Sequence, residues 1–316
     1  MLKILEVENL TVSFGNKNAV NNLSFELWEN EIVGLVGESG CGKSLTAFSI
    51  LGITPPGSKL DGKVIYKGKN LLSLNEKEIR KVRGNKISLI PQDPLSALNP
   101  VFTVGDQIAE VLEVHQNMSH ADALKAVEAG LGKVNIPNPS ARLKDYPFQF
   151  SGGMRQRVLI TMALANEPDI LIADEPTTAL DVTIQLQILE LMKNLKNKGK
   201  TILLITHDLA VVSEICDRVY VMYLGKIVES ATTKEIFSNP KHPYTIGLIN
   251  SLPDETKKIL SPIKGQLPTL DSIPAGCYFH PRCDFVFERC TKDNPELYDV
   301  KNFKEHKSRC FLEIED

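Results

Sequence analysis

Residues Gly37-Glu-Ser-Gly-Cys-Gly-Lys43-Ser44 set a glycine, four residues, and then Gly-Lys-Ser. That spacing suits a polyphosphate. Small residues let consecutive backbone N–H groups turn inward on phosphate oxygens, and a following helix adds its positive N-terminus. Gly37, Glu38, Ser39, Gly40, Cys41 and Gly42 would act through the main chain, with Cys41 a tolerated small residue. Lys43 would reach the β- and γ-phosphates, and the Ser44 hydroxyl would ligate Mg²⁺. A second pair of chemical groups, Asp174-Glu175, closes the apolar run Ile170-Leu-Ile-Ala. In a chain with a phosphate loop, two acids at a strand end divide two tasks. Asp174 would hold Mg²⁺ through coordinated water, and Glu175 would be the general base for an attacking water, worth roughly 10²–10⁴ in rate.

The elements that must place these groups show in the hydrophobic pattern. Ile4–Phe14 and Val20–Leu27 alternate as strands around a turn at Gly15–Asn18, and Glu31–Val36 is a short apolar strand before the glycine loop. Ser44–Gly52 has helical spacing, so the loop lies in a strand–loop–helix unit. Gly62–Gly68 and Ile87–Ile90 read as strands and Asn75–Val82 as a charged helix. Ile108, Val111, Leu112 and His115 share one helical face, and Ser119 is placed to cap a second helix through Leu131. Val104–Asn166 is thus expected to be a mainly helical insertion. Strand and helix then alternate: Ile170–Ala173, Thr183–Lys196, Thr201–Ile205, Leu209–Cys216 and Arg218–Tyr223. This is an α/β pattern with a mainly parallel sheet. Regularity fades after about Ser230, and prolines punctuate the remainder, Pro253 and Pro262 among them.

The chain has 316 residues and a formal net charge of −3. An acidic total argues against a nucleic-acid binder. No apolar run approaches the ~20 residues that cross a bilayer, and Met1–Phe14 lacks the parts of a signal peptide. A cytoplasmic protein is expected, with any membrane role exerted through partners. Of six cysteines, Cys41 and Cys216 stand alone, whereas Cys277, Cys283, Cys290 and Cys310 cluster. In a reducing compartment such a cluster suggests a metal before disulfides.

Further motifs make the pattern specific. Phe150-Ser-Gly-Gly-Met-Arg-Gln-Arg157 resembles the signature motif of ABC-transporter ATPases. Gln92 in Ile90-Pro-Gln-Asp resembles that family's Q-loop, Ala179-Leu-Asp181 its D-loop, and His207 in Ile205-Thr-His-Asp its switch histidine. Phe14 stands where the family places an aromatic ring against adenine. Singly, each has a plainer reading as turn, cap or core residue; in this order they form a set. The resemblance implies a P-loop NTPase cassette with an antiparallel β subdomain and a helical subdomain at about 104–166. It also implies ATP hydrolysis with Mg²⁺ held by Ser44, Gln92 and Asp174, and with Glu175 and His207 catalytic. Two cassettes would close head-to-tail, so that Ser151, Gly152, Gly153 and Gln156 cap ATP bound to the other copy while Asp181 communicates across the interface.

His242-Pro-Tyr-Thr-Ile-Gly-Leu, Ile273-Pro-Ala-Gly-Cys277-Tyr-Phe-His-Pro-Arg-Cys283, Cys290-x4-Pro295 and Cys310 are similar to the C-terminal extension of oligopeptide and dipeptide importer ATPases, D-type subunit. The expected domains are therefore a cassette over 1–233 and a small irregular cysteine-bearing domain over 234–316. The spacing C-x5-C-x6-C-x19-C fits neither common zinc knuckles nor common ferredoxin patterns, so it leaves zinc and a [4Fe–4S] cluster open. The resemblance favours the cluster, as a structural staple, over Zn²⁺ and over free or disulfide-linked thiols, with His280 and His306 read as nearby surface histidines. The implied partners are a second, related ATPase subunit, two membrane permease subunits and, indirectly, an extracellular or periplasmic peptide-binding protein. That places the chain on the cytoplasmic face of the membrane. A nickel or other small-solute importer, or a soluble ABC ATPase acting on nucleic acid, is the alternative.

Overall fold

The computed structural model describes residues 2–178, 180–252 and 263–312. Ala179, Pro253 and Pro262 lie outside the described residues. The chain divides into two compact units, Met1–Ser73 with Leu204–Asp316, and Leu74–Leu203.

The first unit opens with strands β1 (Lys3–Phe14) and β2 (Lys17–Trp28). β1 buries Ile4, Leu5, Val7, Leu10 and Val12. The alternation of Leu5 and Val7 resumes out of step at Leu10, because Asn9 takes a left-handed φ of 52° and the pairing shifts register there. Asparagine tolerates that conformation better than other side chains of its size. β3 (Ile32–Val36) is buried at every residue, as a strand covered on both faces must be. Helix α1 (Lys43–Ile50) follows, then β4 (Ser58–Tyr66) and β5 (Lys69–Asn70). Strands β2-β1-β4-β5 make an antiparallel sheet. β4 starts four residues before the expected Gly62, since Ser58–Asp61 extends the pairing with the end of β1.

The second unit carries α2 (Glu76–Ile79), β6 (Ile87–Ile90), α3 (Pro94–Ala97), α4 (Val104–Gln116), α5 (His120–Lys133), α6 (Pro139–Arg142), α7 (Gly152–Leu164), β7 (Ile170–Asp174) and α8 (Val182–Asn197). β6 and β7 pair in parallel and are almost wholly buried. Ser119 caps α5 by accepting from the Asp122 amide. Helices α4, α5 and α7 bury Ile108, Leu112, Val127, Leu131, Val158 and Leu159 in one apolar layer. Arg157, nearly buried, ties that layer down through the Asn135 carbonyl at 2.9 Å and the Gln187 side chain of α8.

β8 (Thr201–Thr206) falls at the division of the chain. The first unit then resumes with α9 (Leu209–Ile215), β9 (Arg218–Tyr223), β10 (Lys226–Thr232), α10 (Thr233–Ser238), α11 (Pro243–Asn250), α12 (Glu288–Lys292), β11 (Tyr298–Asp299) and β12 (Lys307–Ser308). β3 pairs with β9 in parallel, and β9, β10, β12 and β11 follow one another antiparallel. The architecture is the expected mixture of parallel and antiparallel sheet with packed helices. Order persists past Ser230, where the sequence pattern fades. A Thr232–Glu235 capping box starts α10, and His242 caps α11 with Pro243 at its first position. β12 pairs with β10 at Glu229 and Ser230, so the tail is stitched to a core strand. Among the described residues no helix is long and apolar enough to cross a membrane.

Candidate functional site

In the first unit the glycine loop joins β3 to α1. A Cβ on Gly37 would stand 2.2 Å from the Met222 carbonyl oxygen of β9, and one on Gly42 would stand 2.9 Å from the Met222 Cε and 3.0 Å from the Ala19 oxygen. Only glycine fits either position. Gly42 is also the N-cap of α1 and offers no side-chain acceptor, which leaves the first-turn amides available to an anion. Lys43 is buried; its Nζ donates to the Gly37 carbonyl at 2.7 Å and the Glu38 carbonyl at 3.0 Å. Ser44 is half-buried, while Ser39 and Gly40 are exposed. Cys41 is buried and burial pushes its thiol up, so it is a neutral packing residue at neutral pH. Phe14 ends β1, half-buried, and His207 follows β8, exposed, just before Asp208 caps α9.

The second unit holds the acids. Asp174, the last residue of β7, is 1% exposed. Glu175 takes a left-handed φ of 46°, which costs a non-glycine residue about 1–3 kcal/mol and is held by its partners. Its Oε2 accepts from Gln92 Nε2 at 3.2 Å and from Thr178 Oγ1 at 2.9 Å. The structure thus brings the Q-loop-like glutamine and the second acid of the pair together. Thr178 had no part in the sequence reading; its position three residues after Glu175 was the available signal.

Ser151 caps α7 by accepting from the Met154 amide, and Asp181 caps α8 by accepting from the Ile184 amide at 2.9 Å. The two caps are neighbours: a Cβ on Gly153 would stand 3.4 Å from Ile184 Cγ2. Ser151, Gly152 and Asp181 are exposed, whereas Gln156 is buried on the inner side of α7.

The tail converges on one small cavity lined by Cys277, Cys283, Cys290 and Cys310, with Phe279, Phe285, Phe287, Phe311, Pro243 and Pro295 among its walls. The four cysteines are free thiols. Burial pushes the Cys283 thiol up to about 11 and that of Cys310 to about 12, with neighbouring thiols adding to both shifts. Burial raises the Cys277 thiol as well, and thiols raised in an apolar cavity stay protonated unless a cation is present to hold thiolates. Among the described residues, no group of three or more His, Cys, Asp or Glu is arranged to hold a metal ion.

The histidines differ from the surface reading. His306 is fully buried, with Nε2 2.7 Å from Glu229 Oε1. Glu229 also accepts from the amides of Lys241 and His242, so this pair anchors the tail to β10. His280 is half-buried, with Nδ1 2.9 Å from the Cys277 carbonyl.

Comparison with known proteins agrees with these parts. The ABC transporter family matches residues 20–178, and the C-terminal region of oligopeptide/dipeptide transporters matches residues 228–290. The dipeptide transport ATP-binding protein DppD of Bacillus subtilis is 54% identical over 304 residues, covering 93% of this chain and 91% of the relative. The oligopeptide transport ATP-binding protein OppD of Escherichia coli is 44% identical, covering 99% and 94%. Among solved structures, a dimeric post-hydrolysis state of the ATP-binding cassette MJ0796 bound to ADP and Pi superposes with a TM-score of 0.65 at 28% identity, over 73% of this chain and 99% of that one.

Proposed function

Since the chain belongs to the ABC transporter ATP-binding family and carries the C-terminal region of its oligopeptide/dipeptide branch, we propose that it hydrolyses ATP to power uptake of di- or oligopeptides through partner membrane subunits. The single observation that carries the enzymatic half is the phosphate loop, where two positions admit only glycine and Lys43 is buried against the loop's own carbonyls.

The roles follow from the groups. The loop amides and Lys43 Nζ bind the β- and γ-phosphates, and Phe14 offers a ring to the base. Ser44, Asp174 and Gln92 would hold Mg²⁺, which neutralises phosphate charge when bound. Glu175 accepts a proton from the attacking water, with its carboxylate oriented by Gln92 and Thr178. His207 orients the γ-phosphate and the water. In a head-to-tail pair, Ser151, Gly152 and Gly153 meet the γ-phosphate held by the other copy, and Asp181 lies beside them; their exposure and adjacency support that role. We take the second copy to be a related subunit, and the pair to sit peripherally on the cytoplasmic face against two permeases fed by a peptide-binding protein.

For the tail, a [4Fe–4S] cluster suits the cysteines better than zinc. A single tetrahedral zinc draws its sulfurs to about 3.8 Å from one another, given Zn–S bonds of about 2.3 Å. The C-x5-C-x6-C-x19-C gaps are wider than those of common zinc knuckles and the four cysteines line one cavity, which supports the larger group. A cluster there would cross-link a segment with little core of its own.

Glu175→Gln is the direct test. It should keep MgATP binding and lower the turnover rate by at least about 100-fold. Near-normal turnover would remove Glu175 from the base role.

A further inference from the structure

One side chain carries the tail to the phosphate loop. Arg282 closes the short 3-10 turn His280–Arg282, immediately before Cys283. Its side chain is 4% exposed and forks onto Glu38, with Nη1 to Oε2 at 2.6 Å and Nη2 to Oε1 at 2.9 Å. The guanidinium cannot swing freely: Nε donates to the Lys264 carbonyl at 2.8 Å, and the planar group lies against the rings of Tyr223 and Phe279.

Glu38 is the second residue of the phosphate loop. Its amide donates to Tyr244 Oη at 2.9 Å, and its carbonyl accepts from Lys43. Leu267 also lies against the loop, its Cδ2 3.8 Å from where a Cβ of Gly40 would stand. The loop therefore holds a carboxylate in a place that has to welcome a polyanion. Left unpaired, that charge would oppose phosphate through a partly buried, weakly screened path. A bidentate guanidinium both cancels the charge and fixes its direction, which a lysine does less well.

We propose that Arg282 is a positioning residue for the nucleotide: it neutralises Glu38 and pins it, so that the loop amides and Lys43 act on the triphosphate without an opposing charge. This deepens the ATPase reading and rests on it. It also gives the cysteine-bearing tail a part in the ATP cycle, delivered through the residue next to Cys283.

The test uses the full chain with MgATP as probe, reading both binding and steady-state hydrolysis. Arg282→Gln keeps a planar hydrogen-bonding group over the two rings but drops the charge. It should weaken MgATP binding about tenfold, the usual scale for losing one charged hydrogen-bonded pair. KM should rise by a similar factor with kcat within about twofold, because the repulsion acts on bound substrate and transition state alike. Arg282→Lys should stay within about threefold of the parent, since charge is kept and only the fork is lost. The decisive variant adds Glu38→Gln to Arg282→Gln. Removing the uncompensated carboxylate should restore affinity to within about threefold, a non-additive rescue. Parental affinity in Arg282→Gln would overturn the proposal. A weakened Arg282→Gln that Glu38→Gln does not rescue would also overturn it, by showing that the arginine acts only as tail scaffolding. A parent chain that binds no MgATP would instead strike the ATPase reading itself.

Discussion

Asp174 and Glu175 are consecutive, yet the backbone treats them differently. The aspartate completes a buried strand, while the glutamate is turned back by a left-handed backbone onto Gln92 and Thr178. The acid pair was legible because an apolar run ended on it; the strained conformation was not, because nothing in the spacing encodes φ. Another buried residue gives a pH-dependent expectation. His242 is fully packed, and burial lowers its pKa from the ordinary 6.5 to about 4, against an opposing pull from Glu229. The folded chain therefore holds this imidazole neutral where the unfolded chain protonates it. Stability should be complete above about pH 6.5 and decline as pH falls towards 4, by up to about 1 kcal/mol per pH unit from this group. His242→Asn keeps an acceptor for the Tyr244 amide, which His242 Nδ1 caps in the parent. In urea titrations between pH 7 and 4.5 the variant should lose stability less steeply than the parent; identical slopes would remove His242 as the cause.

At the scale of elements, two expected interface residues have a second occupation. Asp181 and Ser151 each cap a helix, so alanine substitutions there confuse folding with function. Asp181→Ala should cost the monomer about 1 kcal/mol of unfolding free energy, whereas Asp181→Asn, which still caps, should stay within about 0.5 kcal/mol. If hydrolysis falls in Asp181→Asn with stability intact, the charge serves more than α8; equal activity in Asp181→Asn would confine the residue to capping. Many elements were visible in sequence: β1–β4 and β6–β9 by alternation or continuous burial, and α1, α2, α4, α5, α8 and α9 by helical spacing or charge. α10 and α11 were missed although their signals stood in plain view. Thr232-x-x-Glu235 is a capping box, and Pro243 follows the capping His242. Each helix is short, so its apolar face has too few turns to show a period.

For the whole molecule, order in the tail comes from contacts that no local pattern announces. Arg282 and Glu38 are 244 positions apart, and Glu229 and His306 are 77 apart. The cysteines were visible as a group, but their shared aromatic-walled cavity was not, because the spacing matches no standard knuckle. If a cluster staples that segment, Cys283→Ser should lower the iron content of anaerobically purified protein by at least half and shorten the tail's lifetime against trypsin. An equally resistant tail with full iron would show that Cys283 is no ligand.

The contact between Arg282 and the loop bears on how nucleotide affinity should be measured in this branch of the family. A fragment cut after β10 would retain every motif of the cassette. It would nonetheless leave Glu38 facing its cargo alone, strip Tyr244 from the Glu38 amide, and open the ring surfaces of Tyr223 to water. Constants taken from such a shortened enzyme would describe a different binding pocket, and would understate how readily the intact subunit fills with fuel.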